Sequence, residues 1–134
     1  MTNYRFPARR PATSRLKGAD LDWLPRDREL GMIGNCRAGS YAEYMVALVL
    51  WYLNMEFHYQ YRVLNTPYTI DFYIFNEAAW IPLDVRNYGG VPTRSQDRLR
   101  VRIIENALNR ELNTIYDTQT KSFEMALDAV KAIL

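Results

Sequence analysis

The chain has 134 residues, of which 49% are hydrophobic and 13% aromatic, and these values fit one globular domain with a single core. The net charge is only +2, but the 17 cations are 14 Arg and 3 Lys, and five of them precede residue 18 with no acid among them. Arginine forms bidentate hydrogen bonds with phosphate, so this bias favours an anionic polymer as partner. The single Cys36 excludes an internal disulfide and a cysteine-based zinc site, and the single His58 excludes a histidine-rich metal site.

The distribution of apolar residues indicates a protein without a membrane partner. The longest apolar run, from Tyr44 to Leu53, is about half of a membrane span. The arginine-rich amino terminus lacks the hydrophobic segment and cleavage site of a secretory signal. We therefore expect a soluble, cytoplasmic protein that works in a reducing compartment.

Residues 1–38 are interpreted as a basic arm followed by an irregular lead-in. The first 19 residues contain Pro7, Pro11 and Gly18 and show no apolar period. Two interpretations stay open for this arm. It is either a loosely draped terminus or a segment that docks on a protein partner, on a second copy of the chain, or on nucleic acid through Arg9 and Arg10.

A helix is predicted to begin after Ser40, opening a domain that covers residues 39–134. Ser40 can cap the first turn, and Glu43, three residues later, can complete a capping box. From Tyr44 to Met55 there is no charged residue, so this helix should be buried. Glu43 is then either a candidate site residue at the mouth of a core helix or a capping acid alone.

Three strands are predicted to follow, from Phe57 to Leu64, from Tyr68 to Phe75 and from Trp80 to Arg86. In the first, Phe57, Tyr59, Tyr61 and Val63 alternate with a polar face that includes Gln60. Pro82 removes a backbone donor from a strand that should be central, so a bulge or frayed pairing is expected near it.

Asp71 and Asp84 lie inside these apolar strands, where an unpaired carboxylate is costly to bury. If the connecting turn is centred in residues 76–79, the two acids fall directly opposite each other, with Cβ atoms roughly 5 Å apart. A divalent cation between them would offset their repulsion. The alternative is a salt bridge, with Arg86 or Arg62 as the cationic partner.

A second long helix is predicted from Thr93 to Asn109, followed by a short strand at 114–116 and a closing helix at 122–134. The apolar face of the second long helix is expected to contain Leu99, Ile103, Ile104 and Ala107. A basic stripe recurs every four residues on another face, at Arg94, Arg98 and Arg102. The stripe is either a solvated face or a track for nucleic-acid phosphates.

The predicted fold is α/β, in the order αβββαβα, with a central mixed sheet of about four strands flanked by helices. With this order, the chain from residue 39 to 134 resembles the PD-(D/E)XK nuclease superfamily, in particular its branch of very-short-patch-repair-like endonucleases. The resemblance is carried by the following residues: Glu43 early in the first helix, Gln60 in the first strand, Ile70-Asp71-Phe72, Asp84-x-Arg86 and Asp97-x-x-Arg100.

The resemblance implies a restriction-endonuclease-like core that hydrolyses DNA phosphodiester bonds with Mg²⁺ or Mn²⁺. Asp71 and Asp84 would be direct ligands, and the backbone carbonyl of Val85 a third. Glu43 would bind a second ion or a metal-bound water, and Gln60 would orient the water or the phosphate. Hard cations prefer such oxygen ligands.

Arg86 departs from the pattern, since many members of the superfamily have Lys at this position. Arginine stays protonated in proteins and cannot act as a general base, although it can hold the scissile phosphate or stabilise its developing charge. A rival hypothesis follows. If Arg86 cannot replace the usual Lys, the chain is a nuclease-like fold without activity. It would then serve as a DNA-binding or structural subunit of a larger, for example viral, assembly.

Overall fold

The computed structural model describes residues 32–33, 36–88 and 94–134. The elements in this part of the chain are β1 (Met32–Ile33), β2 (Cys36–Arg37), α1 (Tyr41–Tyr52), β3 (Glu56–Arg62), β4 (Thr69–Asn76), β5 (Ala79–Arg86), α2 (Arg94–Leu108), β6 (Asn113–Tyr116) and α3 (Phe123–Ile133), with a short 3₁₀ helix (Asp117–Gln119) before α3. Most of the predicted arm and lead-in, including Arg9 and Arg10, lies outside the described residues.

The four longer strands form one mixed sheet in the order β3-β4-β5-β6. Strands β3, β4 and β5 are antiparallel neighbours, whereas β5 and β6 run parallel, with α2 as the crossover between them. The predicted α/β class, the mixed four-stranded sheet and the order of its elements are confirmed. Strands β1 and β2 pair separately as a two-stranded antiparallel sheet.

The β4–β5 hairpin turns at Glu77 and Ala78, whose φ angles of 48° and 67° are both positive, as a type I′ turn requires. The register then places Tyr73 opposite Pro82 and continues evenly from Asn76 to Phe72, so the bulge expected at Pro82 is absent. Pairing with β6 begins one residue later, at Leu83. Pro82 therefore sits where β5 pairs on one side only, and its carbonyl accepts from the Asn113 side chain at 3.2 Å.

The main core lies between the sheet and helices α1 and α3. Every residue from Tyr44 to Leu50 is buried, as the absence of charge in this helix predicted. Ser40 and Ser122 cap the two helices by accepting hydrogen bonds from backbone N–H groups of the first turn. Within the described ranges, no helix combines the length and apolarity needed to span a membrane.

A second, smaller core cluster lies under α2 and consists of Val63, Ile70, Ile104 and Leu112. The predicted apolar face of α2 is partly wrong, because Leu99 is 54% exposed and Ala107 is also exposed. The helix instead turns two charged residues, Asp97 and Arg100, toward β5, where both form ion pairs. Periodicity of apolar residues could not reveal this, since the contacts that orient α2 are polar.

Candidate functional site

The β3–β4 ladder is interrupted at one step, between Gln60 and Asp71. Tyr59 pairs with Phe72 and Tyr61 with Ile70, so the register is unchanged across the gap. Gln60 has a φ of 57°, a left-handed conformation that is uncommon for a residue with a side chain. Such local strain is often found at functional sites.

The interruption also divides the two core clusters. Tyr59 and Phe72, before the gap, belong to the main core, whereas Tyr61 and Ile70, beyond it, pack with the second cluster. Strict alternation predicted that Tyr61 shares the face of Tyr59, and this prediction is wrong. The centre of the Tyr61 ring instead lies 4.5 Å from that of Tyr73. The site sits at the junction of the clusters, where the backbone departs from regular pleating.

Asp71 and Asp84 are opposed in the register that the hairpin turn sets, just beyond the last ladder pair, Phe72 with Leu83. The strands separate at this level, and the carboxylates bond the backbone of the opposite strand. Asp71 Oδ2 accepts from the N–H of Val85 at 2.8 Å, and Asp84 Oδ1 accepts from the N–H of Asp71 at 3.3 Å. The predicted opposition of the two acids is confirmed by this register.

Glu43 is held at the start of α1 by the hydroxyl groups of Ser40 and Tyr59. Its backbone N–H donates to the Ser40 hydroxyl at 3.1 Å, and the same hydroxyl lies 3.0 Å from Glu43 Oε2. The buried Tyr59 hydroxyl donates to Glu43 Oε1 at 2.7 Å and accepts from the N–H of Gly39 at 2.8 Å. A Cβ atom at Gly39 would lie 2.9 Å from Glu43 Oε2, so the carboxylate fits because residue 39 has no side chain.

Gln60 joins the two carboxylates nearest to it. Its Nε2 atom donates to Glu43 Oε1 at 3.1 Å and to Asp71 Oδ1 at 3.2 Å. The amide nitrogen thus occupies the space between two acids. Rotation of the amide by half a turn would present its oxygen there instead, which is the kind of ligand a hard cation prefers.

The pKa of Asp71 is raised from 3.8 to about 7. Burial is the main cause, the hydrogen bond from Val85 opposes it, and the negative charges of Glu43 and Asp84 add to it. No salt bridge reaches Glu43 or Asp71 within the described residues. This part of the site therefore has an excess of negative charge.

Helix α2 places two charged side chains against β5. Arg100 Nη1 donates to Asp84 Oδ2 at 2.7 Å, and the Asp84 side chain is only 5% exposed. Arg86 forms a bidentate pair with Asp97 at 2.9 and 2.7 Å and lies 3.8 Å from Asp84 Oδ2. This pairing raises the pKa of Arg86 and lowers that of Asp97.

The donor set fits a hard cation in its chemistry, since hydrogen bonds link Gln60 to the carboxylates of Glu43 and Asp71, and the Asp84 carboxylate to the backbone of Asp71. As arranged here, however, no group of three or more acidic, histidine or cysteine side chains in the described ranges is placed to hold a metal ion. The amide nitrogen of Gln60 and the guanidinium of Arg100 lie against the carboxylates. A cation could use all three acids only if these two groups moved.

The remaining predicted residues lie on α2 and in strands β3 and β5. Arg98 and Arg102 are exposed on the outer side of α2, and Arg94 begins that helix, although its side chain is not described. The backbone N–H of Val85 is bonded to Asp71, and the role of the Val85 carbonyl as a metal ligand stays a prediction. Arg62 is exposed and forms none of the salt bridges found in the described chain.

Two residues of the site were missed from sequence. The spacing predicts Tyr59 as a core residue, and its hydroxyl contact with Glu43 leaves no local signal in the sequence. The sequence presents Arg100 only within the motif Asp97-x-x-Arg100, whereas in the structure each of these two residues binds β5. The i, i+3 spacing that places both on one face of a helix was the available sign.

Comparisons with protein-family models, with curated protein sequences and with solved structures gave no match to this chain.

Proposed function

We propose that the chain is a metal-dependent endonuclease that hydrolyses DNA phosphodiester bonds, built on a PD-(D/E)XK core of the very-short-patch-repair-like type. One observation carries the proposal. Glu43, Asp71 and Asp84 come from α1, β4 and β5, and they converge where β4 and β5 separate. Asp84 is buried, and Glu43 and Asp71 are half-buried. Acids gathered in this way from three elements contribute little to folding, so a role in binding a cation explains them better.

The three acids and Gln60 supply the oxygen ligands for Mg²⁺ or Mn²⁺. Glu43 and Asp71 are the two acids best placed to share one ion, because a single atom of Gln60 contacts both carboxylates. A bound Mg²⁺ would polarise the phosphate and lower the pKa of an attacking water. Tyr59 holds Glu43 in place from the core side. Gln60, after rotation of its amide, orients the water or the phosphate.

Arg86 supplies a fixed positive charge at the site. Its guanidinium is held by Asp97 and is 24% exposed, so a phosphate oxygen can reach it from solvent. Because Asp97 raises its pKa, Arg86 stays protonated and acts through its charge on the phosphate rather than as a base. Arg94, Arg98 and Arg102 would add contacts with the DNA backbone in a soluble, cytoplasmic protein.

Cleavage of supercoiled plasmid in Mg²⁺ or Mn²⁺ tests the proposal. We expect nicked or linear product with the natural chain, and loss of at least roughly 100-fold in rate for Glu43→Gln and Asp71→Asn, which keep the shape and remove the charge. Asp128→Asn, an exposed change on α3, serves as the matched control. Folded protein that leaves the plasmid intact in both metals would exclude the enzyme.

A second candidate function is DNA binding without catalysis, within a larger assembly. The salt bridge between Arg100 and Asp84 favours it, because it already neutralises one of the acids. This alternative predicts binding to duplex DNA that weakens with added salt, without cleavage in either metal. Asp84→Ala would then reduce the stability of the fold, since it leaves Arg100 without its partner.

A further inference from the structure

Arg100 occupies an oxygen of Asp84 that a cation at the proposed nuclease site would need. Its Nη1 atom lies 2.7 Å from Asp84 Oδ2, and the carboxylate is almost fully buried. A guanidinium and a divalent cation on one buried carboxylate would repel each other strongly, because little solvent screens them. Cation binding to Asp84 therefore requires that Arg100 withdraw.

Arg100 is also placed where it can withdraw. Its side chain is 24% exposed, and its Nη2 atom donates to the backbone carbonyl of Thr69 at 2.9 Å, at the start of β4. The guanidinium lies 6.0 Å from the centre of the Tyr68 ring. The guanidinium thus joins the start of β4 to Asp84 of β5, and it remains partly open to solvent.

A phosphate group is a suitable new partner for this guanidinium. Arginine binds phosphate oxygens through paired, charge-assisted hydrogen bonds, as it binds a carboxylate. The departure of Arg100 would leave Asp84 buried without a counter-ion, which is unfavourable unless another cation replaces it. Glu43 and Asp71, which have no salt bridge among the described residues, would add to the attraction for that cation.

We propose that Arg100 is a displaceable counter-ion that couples the two ligands of the site: a nucleic-acid phosphate draws Arg100 away from Asp84, and a divalent cation then binds the released carboxylate. This inference rests on the proposed nuclease function. It assigns Arg100 the role of a positioning residue that makes the metal centre complete only when substrate is present. By linkage, the cation must strengthen nucleic-acid binding by the same factor.

Mn²⁺ affinity, measured by electron paramagnetic resonance with and without a short DNA duplex, tests the coupling without relying on cleavage. Without DNA, Arg100→Gln should bind Mn²⁺ about tenfold more tightly than the natural chain, because a competing charge is removed. Arg110→Gln makes the same change at an exposed arginine beyond α2 and should leave the affinity unchanged. With DNA, the natural chain should approach the affinity of Arg100→Gln.

Two further measurements keep the test decisive if Arg100→Gln folds poorly. Arg100→Lys retains the charge and should show a smaller gain in Mn²⁺ affinity. In the natural chain alone, DNA should tighten Mn²⁺ binding, and Mn²⁺ should tighten DNA binding equally.

The failure of the coupling and the failure of the nuclease proposal give different results. Plasmid cleavage together with unchanged Mn²⁺ affinity in Arg100→Gln, or with no effect of DNA on Mn²⁺ binding, would overturn the coupling alone. Absence of Mn²⁺ binding in both proteins, with DNA present, would overturn both proposals.

Discussion

Asp71 and Asp84 face each other beyond the end of the β4–β5 ladder, and the backbone N–H of Asp71 donates to the carboxylate of Asp84 at 3.3 Å. The N–H of Val85 donates in return to Asp71. The two side chains thus take bonds that an unbroken ladder would give to carbonyl groups. Backbone dipoles hold the acids within the sheet, although their charges repel.

Stability should fall with rising pH because of Asp71. Its pKa is 3.8 ordinarily and about 7 in the folded chain, so between these values the folded state holds a proton that the unfolded state has lost. The contribution of Asp71 to the free energy of unfolding is therefore complete below pH 3.8. It decreases as the pH rises to about 7, by at most about 1.4 kcal/mol per pH unit. Urea unfolding at several pH values measures this dependence, with EDTA present to remove bound metal.

Asp71→Asn should remove this decrease, since the amide does not titrate. Asp128→Asn on the exposed side of α3 should retain it. Asp97, whose pKa is lowered by Arg86, contributes with the opposite sign at lower pH and does not interfere. Equal pH profiles for the natural chain and Asp71→Asn would contradict the assignment.

The left-handed backbone at Gln60 predicts an unusual order of stability for two truncations. Gln60→Gly should be more stable than Gln60→Ala by about 1 kcal/mol, because glycine adopts a φ of 57° without steric cost. Both variants lose the same side chain, so their difference reports the backbone. At the exposed Arg62, in the same strand, alanine should be the better replacement, and an identical order at both positions would argue against strain at Gln60.

Tyr59→Phe should destabilise the fold by about 1–2 kcal/mol, because the N–H of Gly39 loses its acceptor and Glu43 loses a donor. Chemical denaturation should show a lower midpoint with an unchanged slope. Tyr88→Phe removes a hydroxyl from a side chain that is 72% exposed and should have no measurable effect. A similar loss in both variants would show that the hydroxyl of Tyr59 has no special role.

Arg86 and Asp97 should show a coupling free energy of about 1 kcal/mol in a double-mutant cycle with Arg86→Gln and Asp97→Asn. Their side chains are 24% and 26% exposed, and two parallel hydrogen bonds join them. Arg86→Lys should lose most of this coupling, because an ammonium group cannot form both bonds in the same geometry.

The matched cycle pairs Asp97→Asn with Arg102→Gln, on the outer side of the same helix. These two changes should be additive. A coupling as large as that of Arg86 would mean that general electrostatics, and not the bidentate contact, stabilises the pair.

The sequence by itself determined the three α-helices and strands β3 to β6, though not the short strands β1 and β2, and it determined the opposition of Asp71 and Asp84. Both follow from local chemistry: apolar periodicity sets helix or strand, and a short turn fixes the register of the strands that it joins. For the same reason Ser40 and Glu43 could be placed at the start of α1. These inferences need only neighbouring residues along the chain.

The tertiary structure alone decided how the acids are neutralised and held. Arg100 reaches Asp84 from a helix 16 residues away, and Tyr59 reaches Glu43 from a strand at the same separation. The orientation of α2 and the break in the ladder at Gln60 depend on packing between distant elements, which no local pattern encodes. The opposition of the acids of β4 and β5 is therefore a property of the sequence, but the salt bridge from Asp84 to Arg100 of α2 is a property of the fold.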